Sequence, residues 1–184
     1  MEIKDLSKSQ LGTIGEYMVA ANILGQGWDA ILANMSINNI ESYDIVCVKP
    51  HTGKTALVQV KTSVGKNIPI GFKLKESITE ILEKKIIGPW VFVNCEKNDV
   101  DEYYFRYFIL SRSEMIQLTN DSNYWYVHQW KDSYRKKTVD DNNPTGLSIR
   151  WLEGKGEDDN NRHYAFVNPL TDSSENQWDK IWED

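Results

Sequence analysis

Apolar positions along this chain recur at helical spacing in some stretches and alternate like strands in others. Over 5–24, Leu11, Ile14, Met18, Ala21 and Ile23-Leu24 fall roughly on one stripe. Gly25-Gln26-Gly27 ends the run, so a helix capped by Ser7 or Ser9 is expected. Residues 28–33 read as a short strand and 34–42 as a polar loop. A hairpin follows: strand 44–49, a turn at Pro50-His51-Thr52-Gly53-Lys54, and strand 55–62. A charged helix near 73–87 would bury Ile78, Ile81, Leu82 and Ile86. Pro89 to Asn94 is almost wholly apolar, as expected of a strand near the centre of a sheet. Tyr103 to Leu110 is a further strand, and Ser111 with Glu114 forms a capping box that opens a helix to about 118. Beyond that, 124–130 fits strand or helix, Pro144-Thr145-Gly146 is a turn, and 147–152 reads as a strand. Residues 154–161 form an acidic loop, and Ser174 to Trp182 reads as a terminal helix. The alternation predicts an α/β domain, a mixed central sheet flanked by helices.

Composition narrows the class. At 184 residues, with 40% apolar content and seven Trp, the chain is large enough for one folded domain. The net charge of -6 is uneven: residues 153–184 hold nine acids against three bases, which leaves the first 152 residues neutral. A nonspecific nucleic-acid coat is therefore disfavoured, though a locally basic cleft is not. Cys47 and Cys95 each lie in an apolar strand and read as reduced, buried thiols. The three His are scattered without ligand spacing. The first residues lack the apolar core of a signal peptide, and no run is long enough to span a membrane, so a soluble cytoplasmic protein is expected.

The candidate chemistry lies in the hairpin. Side chains alternate across a strand, so Leu57, Gln59 and Lys61 share one face while Ala56, Val58 and Val60 share the other. Asp44 opens the partner strand. A Gln and a Lys ending an apolar strand need either solvent or partners. In the first helix, Glu16 sits among Gly12 and Gly15, which suggests close approach of a backbone or ligand there.

This order resembles the PD-(D/E)xK nuclease superfamily. It comprises a Gly-x-x-Gly-Glu helix, a short strand, an Asp-led strand, a Gly turn and a Gln-Val-Lys-Thr-Ser strand. The likeness is greatest to the branch of Mrr-type restriction enzymes and archaeal Holliday-junction resolvases. It covers residues 9–63, with weaker support to about 118. The resemblance implies a restriction-endonuclease-like core over 5–120, a C-terminal extension over 121–184, and Mg²⁺-dependent cleavage of nucleic acid, DNA foremost. By position it makes Asp44 the metal-ligating acid, puts Gln59 at the second ligand position, and turns the Val60 carbonyl to the metal. Lys61 stands beside the attacking water and scissile phosphate. Glu16 becomes the helix acid, acting directly or through water, and Thr62 and Ser63 are phosphate contacts. Mn²⁺ would substitute, and members of the superfamily often pair as homodimers. The sequence departs from the pattern at Gln59, usually Asp or Glu, and at Tyr43, where the signature has Pro.

A second patch mixes Tyr124, Trp125, Tyr126, Trp130 and Tyr134 with Lys131, Arg135, Lys136 and Lys137. Such residues bind nucleic acid by stacking and by charge, or else pack a core beneath a solvated basic face. The rival to an active nuclease is a catalytically inactive module of the same fold that binds nucleic acid or a protein. A structural domain in which Gln-Val-Lys is coincidence is the third possibility.

Overall fold

The computed structural model describes residues 5–33, 42–64, 67–98, 100, 102–124, 127, 146–150, 170 and 172–184. In chain order the elements are α1 (Lys8–Gly25), β1 (Asp29–Leu32), β2 (Ile45–Val48), β3 (Thr55–Ser63), β4 (Asn67–Lys73) and α2 (Thr79–Lys85). They continue with β5 (Trp90–Lys97), β6 (Tyr103–Leu110), α3 (Arg112–Tyr124) and β7 (Gly146–Arg150). Two 3-10 turns follow, Asp172–Ser174 and Trp178–Trp182.

Five strands form a mixed sheet in the order β1-β2-β3-β5-β6. β1, β2 and β3 make an antiparallel meander, β5 runs parallel to β3, and β6 returns antiparallel. The parallel step requires a crossover, which passes through β4 and α2. β4 pairs with β7 in a separate two-stranded sheet.

Strand alternation divides the core by face. On the back, Val19, Ala20 and Ile23 of α1 meet Ile45, Cys47, Val58, Val60, Val91 and Val93, and Trp178 and Ile181 close this cluster. On the front, Leu82, Met115 and Leu118 from α2 and α3, with Ile68, Ile70, Leu147 and Ile149 from the small sheet, cover Trp90, Phe92, Phe108 and Leu110. Each such side chain contributes about 1.5–3 kcal/mol of transfer free energy when fully buried. The front cover stops short of β1, where Ile31 is 56% exposed. β5 is covered on both faces, as its unbroken apolar run predicts.

The local signals at element ends hold. Ser7 and Gln10 form a capping box on α1, and Ser111 and Glu114 form another on α3. Several details differ from the sequence pattern. The buried residues of α1 are Gly15, Val19, Ala20 and Ile23, while Leu24 is exposed, because the helix turns its glycine toward β3. α2 is shorter than expected, and α3 runs on to Tyr124. β4 was not anticipated: Pro69 and Gly71 interrupt its strand pattern, and its register with β7 shifts between Pro69 and Lys73. The expected terminal helix is two 3-10 turns separated at Asn176, whose φ of 55 breaks helical continuation.

The last thirteen residues are tied to the core. Arg106 grips Glu175 through two hydrogen bonds of 2.9 Å, and Lys180 pairs with Glu114 at 2.6 Å. Asp184 accepts from the Ser113 backbone N–H at 2.7 Å, and Trp182 meets Trp28 edge-on at 5.1 Å. Both cysteines are free and buried. Burial, with Asp29 adding, pushes the Cys47 thiol up to about 12. Among the described residues no helix is long and apolar enough to cross a membrane.

Candidate functional site

Asp44 sits one residue before β2, where that strand separates from β3. Its N–H still donates to the Val58 carbonyl at 2.9 Å, but its own carbonyl turns to β1 and accepts from Ala33 at 2.8 Å. The Val60 N–H therefore lacks a ladder carbonyl. The Asp44 carboxylate takes that place, with Oδ2 accepting from Val60 N at 2.7 Å. Gln59 Nε2 donates to the same oxygen. Asp44 is 8% exposed and Gln59 6%. A carboxylate buried to this depth needs such donors.

The N–H and C=O of one strand residue point the same way, so the Val60 carbonyl faces the side from which Asp44 accepts. The Gln59 backbone N–H points the other way, to the Pro89 carbonyl at 3.0 Å. Lys61 is half-buried on the front face with Gln59, and its ammonium lies 5.7 Å from the centre of the Trp90 ring. Among the described residues it has no carboxylate partner. The hairpin thus carries a carboxylate held by Gln59 and Val60 on the β2 side of β3, and an ammonium that lies over Trp90 on the β5 side.

The remaining expected residues are placed differently. Thr62 alternates to the back face, where its hydroxyl is buried against Gly15 of α1 with no hydrogen-bond partner. A Cβ at Gly15 would lie 1.8 Å from that hydroxyl, so the glycine serves packing between helix and strand. Gly12 has nothing within 4 Å of a Cβ and makes no such approach. Glu16 follows Gly15, the residue set against Thr62 of β3, and is half-buried on a helix that packs the back of the sheet. Ser63 ends β3, half-buried, in register with Asn94 of β5. Lys131, Arg135, Lys136 and Lys137 lie outside the described residues.

Trp90 lies against the Lys61 ammonium, although nothing in the sequence singles it out. Its only signal was an aromatic at the start of an apolar strand, and that pattern marks core more often than site. Its neighbour Gly88 is also constrained, since a Cβ there would come within 2.1 Å of the Leu57 carbonyl oxygen.

Among the described residues no three His, Cys, Asp or Glu side chains group as a metal site. The donor set at hand is Asp44 with the Val60 carbonyl. That fits Mg²⁺, which binds through one or two carboxylates and completes its shell with water and substrate phosphate. It does not fit zinc, whose sites supply at least three protein ligands, mostly nitrogen and sulfur. No protein-family model matches this chain, and no curated protein sequence matches it.

Proposed function

We propose that this chain is a metal-dependent nuclease with a restriction-endonuclease-like core, hydrolysing phosphodiester bonds of nucleic acid, DNA foremost. One observation carries the reading. A buried carboxylate, oriented by two N–H donors, stands on the same β-hairpin as a half-buried ammonium with no carboxylate partner among the described residues. The element order supports it too. The Gly-x-x-Gly-Glu helix, α1, packs an antiparallel meander of short strand, Asp-led strand, turn and Gln-Val-Lys strand.

In this reading Asp44 and the Val60 carbonyl hold Mg²⁺, or Mn²⁺ in its place, with Gln59 and Glu16 as the remaining candidates. The ion, when bound, supplies charge neutralisation and water activation at the phosphodiester. Lys61 meets the charge that develops on the phosphoryl oxygens, and Trp90 beneath its side chain limits where the ammonium goes. Ser63 is the phosphate contact that remains on the Lys61 side of β3, whereas Thr62 supports the strand from behind.

Plasmid, single-stranded and branched DNA incubated with the protein in Mg²⁺ or Mn²⁺ test this reading. Cleavage is expected and should fall at least about 100-fold in Asp44→Asn and Lys61→Met, with unchanged circular dichroism. Equal cleavage by either variant refutes it. The second reading, an inactive binding module, draws on Gln59, which turns an N–H rather than an oxygen to Asp44. DNA binding that survives both substitutions, without cleavage in either metal, establishes that module instead.

A further inference from the structure

The superfamily resemblance makes position 59 the second metal ligand. We propose instead that Gln59 is a positioning residue. Its side-chain N–H holds the Asp44 carboxylate, and Asp44 with the Val60 carbonyl makes the protein's contact with the ion. The inference rests on the nuclease reading for the ion, and on the hydrogen bonds alone for the role of Gln59.

Gln59 Nε2 faces Asp44 Oδ2, and it is the amide's donor that a carboxylate oxygen accepts from. The amide is planar, and its Oε1 is therefore directed away from that contact. To offer Oε1 to an ion shared with Asp44, the amide would have to turn over. That would set oxygen against oxygen and leave a donor unsatisfied in a residue only 6% exposed. The Val60 N–H reaches the same Oδ2 at 2.7 Å. Two donors on Oδ2 fix the plane of the carboxylate. The backbone donor comes from the strand, where only a change of register removes it. The Gln59 donor comes from sequence and is the adjustable half of the clamp.

One consequence runs against the family pattern. Glutamate, a usual residue at this position in the superfamily, is the wrong residue here without metal. It would replace a donor with a second carboxylate, against one that is already buried.

The test uses the full chain, labelled with ¹³C and ¹⁵N, in nuclear magnetic resonance. A through-hydrogen-bond correlation from Gln59 Nε2 to the Asp44 carboxyl carbon is expected without metal. It should persist on saturation with MgCl₂ while the Asp44 carboxyl carbon shifts. Loss of the correlation on adding Mg²⁺, or its absence before, overturns the proposal. If the correlation is present and Mg²⁺ shifts nothing at Asp44, the metal reading fails and the role of Gln59 in holding Asp44 stands. Stability gives an independent readout. Metal-free Gln59→Glu should melt at least about 4 °C lower. The double variant Asp44→Asn/Gln59→Glu restores one donor against one acceptor and should recover more than half of that loss. A double variant no more stable than Gln59→Glu overturns the proposal.

Discussion

The same substitution at two glycines of one helix should have opposite effects. Gly12→Ala and Gly15→Ala both lie within α1, and each gains about 0.5–1 kcal/mol of helix stability from the lower backbone entropy of alanine. At Gly12 nothing lies within 4 Å of the new Cβ, so that gain is the whole effect. The expected rise in melting temperature is about 1–4 °C for a chain of this size. At Gly15 the new Cβ would lie 1.8 Å from Thr62 Oγ1, 2.9 Å from Thr62 Cβ and 3.1 Å from Thr62 Cγ2. Rotating χ1 of Thr62 moves the oxygen and the methyl group but not Cβ, so helix and strand must separate. Overpacking of this kind costs about 1–3 kcal/mol. Set against the propensity gain, the net is a loss of up to about 2.5 kcal/mol. Urea titrations followed by tryptophan fluorescence should therefore put the two variants on opposite sides of the parent. Adding Thr62→Ala to Gly15→Ala removes the two movable atoms and should restore part of the loss. A midpoint for Gly15→Ala at or above the parent would refute the argument that helix–strand contact dictates this glycine. Lys61 adjoins Thr62 in sequence, so the proposed cleavage should fall with the Gly15→Ala midpoint and recover with it.

Two further outcomes concern titrating groups. The Arg106 hydrogen bonds hold the Glu175 carboxyl below its ordinary value, with burial opposing them. A carboxyl depressed in the folded state stabilises the fold above its unfolded value, and that contribution is lost as pH falls through the folded one. Glu175→Gln should therefore cost about 1 kcal/mol at pH 7, with the gap to the parent closing below about pH 4 in thermal melts. A gap that stays constant down to acid would refute the ion pair's role. Cys47, buried and pushed up to about 12, should resist a disulfide reagent at pH 8 in the folded protein and react only as fast as the chain opens. Labelling at the rate of a free thiol would contradict its placement under α1.

Much of the fold was readable from local pattern. The 44–49 and 55–62 hairpin, the apolar strand at 89–94 and the Ser111–Glu114 capping box follow from alternation, turn residues and caps, each acting within a few residues. β4 was not readable, because Pro69 and Gly71 break its pattern and its partner β7 lies far along the chain. The terminal helix was misread because Trp178 and Trp182 keep helical spacing while Asn176 interrupts the backbone before them. The face of α1 was misplaced because a stripe drawn through large apolar residues passes over Gly15, whose contact depends on its lack of a side chain.

The sequence by itself determined which groups stand near one another on the hairpin. Strand alternation sets Gln59 and Lys61 on one face, and the turn brings Asp44 across from them. Only the tertiary structure decided what each group does there. Asp44 replaces a ladder carbonyl because β2 separates from β3 at that residue, and Gln59 therefore meets it through nitrogen. The Thr62 hydroxyl is buried because α1 packs behind the strand, and Lys61 lies over Trp90 because β5 runs parallel alongside. The period of a strand is local to the backbone, whereas the direction of a hydrogen bond depends on which strand, helix or ring occupies the neighbouring position.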